Sequence, residues 1–482
     1  MDQYRVSLNT LNYTDLKEKS EIKHSGDIIF FDNGDLFGQS VIFKNKTFTC
    51  GKLIFENISN KEINIHFYNC TFNCELEFDT CTFEDLTFTS CDINSSVFVI
   101  LNPNINYLTF RENTNDIRNV KTNNIKDGTI EINGGNINSI DIENIYFKKG
   151  KLIIINLDSI ENCSIIRSTL NYVTISHCNF ESNFEYIGNK NISRIDSAFF
   201  NHCKFNHSNF FGTTFNSDTK FSNCEFLSET KFESLESEIF TKIKFTDCEF
   251  FKSTIFNRAL IHQLSFEKNV FIGQISLQET YFDIIKIDRT IFEKGAFFDD
   301  IQIKKIDNCD RRTIRTIKQE LQKAENKIDF SRFRVYEFNA YRKDIRKKIT
   351  EFKKDKNRFR HRKREPIQLK RDLFILNVSD IISEYGTDWK RAMKFTLITG
   401  LFWYCILYRY ENSETLDFNN VNDFFVGAFR FFLVTDFHNP LIEESPKTYL
   451  TSGWSWLIFI LGKIFIVFGI YEMIQSFRKF KA

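Results

Sequence analysis

Proline is nearly absent from this chain, at 4 of 482 residues, whereas phenylalanine is used 56 times. The opening residues, MDQYRVSLNTLNY, carry neither a basic start nor an apolar run, so no secretory leader is expected. Without one, the twelve cysteines lack the oxidising compartment that a disulfide framework requires. A metal site is not expected either. The nearest spacings, Cys70/Cys74 and Cys81/Cys91, have no companion ligands in a zinc pattern. No nucleophile–base pair, phosphate loop or metal cluster stands out, so the chain reads as a non-enzyme without cofactors. An excess of one charge is missing too, with 64 Lys plus Arg against 63 Asp plus Glu. That balance conceals an asymmetry, because basic residues crowd into the stretch after residue 310.

What is present is a comb of period five. Residues 197–216 read SAFFNHCKFNHSNFFGTTFN, with Phe200, Phe205, Phe210 and Phe215 five apart. Ala198, Cys203, Ser208 and Thr213 each stand two residues before them. Five is neither the helical nor the strand period. A second run is Phe78, Phe83, Phe88, Ile93 and Phe98, preceded by Leu76, Cys81, Leu86, Cys91 and Ser96. A third is Ile165, Leu170, Ile175 and Phe180, preceded by Cys163, Ser168, Val173 and Cys178. A fourth is Leu277, Phe282, Ile287, Phe292 and Phe297.

One large and one small inward residue per five-residue side predicts a square coil. Four sides make a turn of about 20 residues, and turns stack about 4.8 Å apart at the strand spacing. The large residue fills the axis and the small one lets the corner close. Eight cysteines hold the small position: Cys70, Cys81, Cys91, Cys163, Cys178, Cys203, Cys224 and Cys248. There a free thiol serves as a small buried hydrophobe, with a redox or metal role as the alternative. His202 and His207 are five apart, so they are expected on adjacent sides, outward and solvated rather than converging on a metal.

This pattern resembles the pentapeptide-repeat family over about residues 41–306, less regularly around 99–160. The resemblance implies an all-β right-handed quadrilateral β-helix. The chain then divides into an N-terminal segment or cap (1–40), the repeat β-helix (41–306), an α-helical hairpin cap (307–352), a basic juxtamembrane segment (353–393) and a two-span membrane hairpin with an intervening amphipathic segment (394–482).

After Asp310, a plausible N-cap, the period turns helical, with Ile314, Ile317, Leu321 and Ala324 in one stripe. A second helix is expected to pair with the first and cover the open end of the solenoid. Next comes KKDKNRFRHRKREPIQLKRD, residues 353–372. A nucleic-acid backbone is one reading of these charges and a plain solvated linker another. Their place just before apolar segments favours a bilayer with anionic headgroups, at about 1 kcal/mol per Lys or Arg near the surface.

Residues 395–408 are apolar and bounded by Lys394 and Arg409, which extend a short span by snorkelling. Residues 454–473 form a second apolar run with Trp454, Trp456 and Tyr471 at interface depths. Buried helices of a soluble domain are the alternative. The loop between the runs is poor in Lys and Arg, which places both chain ends and the rod in the cytoplasm. VNDFFVGAFRFFLVTDF (421–437) is expected to lie at the interface. A re-entrant segment of a two-span channel is the alternative, although no TVGYG-like filter is present. Lys463 falls near the middle of the second span, at an insertion cost of roughly 2.5–3.5 kcal/mol. It is expected to pair with another helix or subunit, or to face a water path. Glu472, nine residues on, faces the opposite side of the same helix.

YGTDWKRAMK, FHNPL and GIYEMIQSFRKF resemble stretches of membrane-anchored bacterial pentapeptide-repeat proteins. The resemblance implies a bacterial inner (cytoplasmic) membrane protein. Its cytoplasmic rod would present an interaction or sensing surface to an unidentified protein partner, with homo-oligomers allowed. The alternative is a two-span oligomeric ion channel or membrane-perturbing effector gated by the repeat domain. DNA mimicry, known for some members, requires a strongly acidic rod, and the near-neutral charge of the chain and its expected membrane anchor weigh against it.

Overall fold

The computed structural model describes residues 3–7, 21–25, 27–31, 40–56, 58, 63–93, 97–101, 104–111, 124–125, 129–134, 136–143, 146–147, 151–188, 194–237, 241–354, 365–411, 421–436, 440, 450 and 452–478. The chain divides into two compact units, Met1–Ala324 and Glu325–Ala482.

The first unit is a solenoid of short strands in three sheets of 18, 16 and 4 strands, and every pairing among the described strands is parallel. Its register is carried by one inward ladder: Phe30, Phe55, Phe78, Ile100, Ile132, Ile154, Ile175, Phe200, Phe221, Phe245, Phe266 and Ile287 stand opposite one another in successive turns. Turns are longer than the expected 20 residues. Phe200 to Phe221 is 21 residues and Phe30 to Phe55 is 25. Part of the excess is local slippage, as between Ile160 and Asn162 and between Phe180 and Asn183.

The core is a set of stacked phenylalanine columns. Phe221 lies 4.5 Å from Phe200 and 4.7 Å from Phe245, with nearly parallel rings. Phe226 stacks on Phe205 and Phe250, and Phe232 on Phe210 and Phe256. Neighbouring columns meet edge-on, as Phe221 does with Phe210 and Phe232. Offset stacking up a column and edge contact across columns are the two arrangements an aromatic quadrupole favours. Phe78, Phe83, Phe88, Phe98, Phe200, Phe205, Phe210 and Phe215 are all buried. So are Cys81, Cys91, Cys178 and Cys203. The fourth run slips at its end. Ala296 and Phe298 are the buried pair there, and Phe297 is only half-buried. Gly295, with φ +95°, redirects the chain immediately before them.

The corners explain the small position. Asn69, Thr80, Ser90, His177, His202, Asn223 and Asp247 all have φ between 51° and 54°. Each immediately precedes a cysteine: 70, 81, 91, 178, 203, 224 and 248 respectively. A single left-handed residue turns the strand, at a strain of order 1–3 kcal/mol that its surroundings must offset. The turned residue still donates to the next coil, as His202 N does to Ser222 O at 3.0 Å. The cysteine thiol then donates to two backbone carbonyls. Cys203 Sγ reaches Ile175 O at 3.3 Å and Asn201 O at 3.4 Å, and Cys81 Sγ reaches Phe55 O and Asp79 O. Ser168, Thr213 and Asn269 donate to the equivalent core carbonyl elsewhere. The small residue is therefore a hydrogen-bond donor as well as a filler. Cys163 differs, because it lies inside the strand Ile160–Ile166 rather than after a corner.

All twelve cysteines are free. Burial pushes the Cys81 and Cys178 thiols up to about 12, so these two hold little reactive thiolate at mildly alkaline pH. A water-soluble maleimide is expected to spare the eight small-position thiols in native protein and to label all of them after denaturation. Rapid native labelling of most of them would overturn the buried-corner assignment.

The solenoid's last strands are closed by α1 (Arg311–Lys323), capped by Asp310, which accepts from Thr313 N at 3.0 Å. Thr313 Oγ1 accepts from Ile287 N at 2.8 Å, and Glu320 Oε2 accepts from Ala296 N at 3.3 Å. Helix side chains thus stand in for the next rung at strand groups that would otherwise be orphaned.

The second unit is helical: α2 (Lys327–Lys354), α3 (Glu365–Ser383), α4 (Trp389–Glu411), α5 (Val421–Phe432) and α6 (Gly453–Phe477). Within 307–352, α1 belongs to the first unit and α2 to the second. Val335 and Ile345 of α2 pack on Leu376 of α3 and on Tyr385. Most of the basic run, 355–364, lies outside the described residues, as do 412–420 and 441–449. Among the described helices, α6 alone is long and apolar enough to cross a membrane.

Candidate functional site

Helix α6 buries two charges, Lys463 and Glu472, and each is met by a different part of the chain. Small residues make this close meeting possible. Ser455, Gly462, Gly469 and Ser476 recur every seven residues on the buried face of α6. Ala392, Thr396 and Gly400 recur every four on α4. A Cβ on Gly469 would lie 2.1 Å from Thr396 Oγ1, and one on Gly462 would lie 2.5 Å from the Phe431 ring. Neither position admits a side chain without moving a helix. Trp389 stacks on Phe477 and Trp403 on Phe465, so α4 and α6 run antiparallel.

Helix α5 is wedged between them. Near its start, Phe424 O accepts from Tyr404 Oη at 2.9 Å. Just past its end, Leu433 O accepts from Lys463 Nζ at 2.6 Å. The ammonium also lies 5.1 Å from the Phe459 ring centre and 5.5 Å from that of Phe431. Lys463 is only 4 % exposed. Its partner is thus a backbone carbonyl of the same chain, where the carbonyl end of a helix carries partial negative charge and the ring faces add more. Lys463 is the eleventh residue of the 25-residue α6, so the end of α5 reaches the middle of that helix. Of the stretch 421–437, Val421–Phe432 forms α5. Phe437 itself lies outside the described residues.

Glu472 is the second charge. Ser383 Oγ, at the end of α3, donates to its Oε2 at 2.5 Å. Ser383 Oγ in turn accepts from Gly386 N at 2.8 Å. Glu384, Tyr385 and Gly386 are consecutive left-handed residues, with φ of 50°, 58° and 74°. Arg334 of α2 closes the turn by donating to Tyr385 O at 2.6 Å and Gly386 O at 3.3 Å. Burial lowers the Arg334 guanidinium from its usual value, and the Glu472 charge opposes that. Glu472 thus meets α3, while Lys463 meets the end of α5. Asp388 then caps α4 by accepting from Lys390 N at 2.9 Å. YGTD is therefore a turn and cap, which its Gly and Asp could have signalled.

In the solenoid, His202 does not meet His207. It stacks on His177 at 4.9 Å between ring centres, with planes 4° apart. The spacing of 25 residues is one turn here, longer than the expected 20. His207 instead lines a shallow cleft of about 350 Å³ with Asn183, Glu185, Asn209, Glu229 and Lys231. Among the described residues no three His, Cys, Asp or Glu side chains converge as metal ligands.

Comparison with protein-family models, with curated proteins and with solved structures returns no match for this chain.

Proposed function

We propose that the chain is a non-enzymatic pentapeptide-repeat protein anchored in a bacterial inner membrane. Its solenoid, of the four-sided type, presents a cytoplasmic surface to a protein partner. The five-residue comb and the left-handed corner before seven of the eight small-position cysteines support the four-sided type. Two spanning helices, α4 and α6, form the anchor.

The observation that carries the anchor is an inside-out distribution of side chains. Helix α6 buries Ser455, Lys463, Glu472 and Ser476 while exposing Leu457, Ile460, Ile464 and Val467. Helix α4 buries Thr396 and Gly400 and exposes Ile398, Leu401 and Phe402. A soluble bundle sorts these the other way. Helices in lipid bury small and polar residues against one another and turn apolar ones outward.

On this reading α5 is a re-entrant half-helix. Its depth favours a second reading, an oligomeric two-span channel gated by the repeat domain. The anchor reading is preferred because Lys463 is turned into the helix packing rather than toward a water path.

The topology is tested with reporters. A fusion after Ala482 is expected to behave as cytoplasmic, and an insertion near Asn419 as external. The reverse pattern, or a cytoplasmic signal from both, would sink the two-span anchor.

A further inference from the structure

Helix α3 has an apolar face that nothing among the described residues of its own unit covers. Ile367, Phe374 and Ile381 recur every seven residues and are 55 %, 69 % and 73 % exposed, with Ile375 beside them at 63 %. The other face is occupied, since Leu369, Leu373 and Leu376 pack toward α2. Exposed Lys370 and Arg371 lie between the first two apolar residues. We propose that α3 is an in-plane membrane helix that seats Ile367, Phe374 and Ile381 in the headgroup boundary of an anionic bilayer. This rests on the reading that α4 and α6 span.

Three observations select lipid as the occupant. First, depth: the Ser383–Glu472 hydrogen bond fixes the end of α3 beside a residue five short of the end of α6. A spanning α6 leaves the hydrocarbon over those turns, so α3 ends at interface level. Second, continuity: exposed Met393, Leu397 and Ile398 of α4 resume the apolar surface directly after the turn. Third, charge: Lys370 and Arg371 flank the apolar stripe as an interfacial helix on anionic lipid requires. From Ile367 to Ile381 the stripe runs about 21 Å, long enough for the helix to lie along the surface rather than touch it at one end.

The experiment uses the full chain in nanodiscs of mixed phosphatidylglycerol and phosphatidylcholine. A genetically encoded ketone residue carries a spin label, which leaves the native cysteines untouched. Labels go at Phe374 and Ile381, at Phe402 and Ile464 in the spans, and at exposed Asp344 of α2 as a water control. Accessibility to oxygen and to a nickel chelate reports depth. Phe374 and Ile381 are expected to show an oxygen-to-nickel ratio several-fold above that at Asp344 and below that at Phe402. The double variant Lys370→Glu, Arg371→Glu is expected to lower the ratio at Phe374 in anionic discs and to leave it little changed in neutral ones.

A ratio at Phe374 and Ile381 equal to that at Asp344 would overturn the proposal. So would closure to both reagents, the signature of a second copy covering the face. If Phe402 and Ile464 also behave as water-exposed, the spanning reading fails and the proposal falls with it. If those two remain lipid-exposed while α3 does not, only the proposal fails.

Discussion

Phe221→Ala is expected to destabilise the solenoid by about 3–5 kcal/mol. The ring is fully buried and touches five others: Phe200 and Phe245 above and below, and Phe210, Phe226 and Phe232 across the axis. Its removal deletes two stacked and three angled contacts at once. The parallel ladders on both sides are held by backbone hydrogen bonds and cannot move inward to refill the space. Each coil contacts only its neighbours, so the loss falls on one place along the rod and lowers the cooperativity of unfolding. Chemical denaturation of the full chain in detergent, followed by far-ultraviolet circular dichroism, reads the effect. Phe211→Ala is the comparator, because Phe211 lies outside the columns and is 42 % exposed. Its expected change is within about 0.5 kcal/mol. Equal losses at the two positions would mean that the stacked columns are not what holds the rod together.

The columns were legible because their signal is periodic and chemically single-minded. Phe and Cys recur at fixed offsets, and only a repeating coil puts such residues inside at a period of five. The length of a turn was harder to read. Extra residues at slipped positions such as Asn183 leave no chemical mark, and that hid the pairing of His177 with His202. The left-handed corners were hidden for a related reason. Asn69 and Asn223 are tolerant of positive φ, but Thr80, His177 and His202 are ordinary surface residues forced there by the ladder on either side. The donor role of the cysteines depends on which carbonyl the previous coil presents, so only the stacked register reveals it.

The helical unit was legible as elements and not as contacts. Asp310 marked the start of α1, and the apolar runs marked α4 and α6. The partners of the two buried charges come from far along the chain. Ser383 is 89 residues from Glu472, and Leu433 is 30 from Lys463. Leu433 also contributes only its carbonyl, a group common to every residue.

Lys463→Glu is expected to release α5 from the helix pair. The wild-type ammonium donates to Leu433 O and sits against two ring faces. A carboxylate there brings an acceptor to an acceptor and negative charge to the negative faces of both rings. The carbonyl is left unsatisfied at about 1–3 kcal/mol, and breaking a buried pair so as to strand a charge costs about 3–5 kcal/mol. Lys463→Met is different. It also strands the carbonyl and loses the ring contacts, but if α6 spans as proposed it removes an ammonium whose insertion cost is of similar size, roughly 2.5–3.5 kcal/mol. Those terms nearly offset, so Met is expected to stay within about 1 kcal/mol of wild type. Thermal unfolding of the detergent-solubilised chain separates the two variants, and similar losses in both would mean that the amine–carbonyl contact governs the site rather than the sign of the charge. Conductance then separates anchor from channel. An anchor in which Lys463 binds the end of α5 conducts in neither wild type nor Lys463→Met. A channel lined by Lys463 conducts in wild type, favours anions, and loses that preference in Lys463→Met. Current through purified wild-type protein in planar bilayers that changes its ion preference with residue 463 would replace the anchor with the channel.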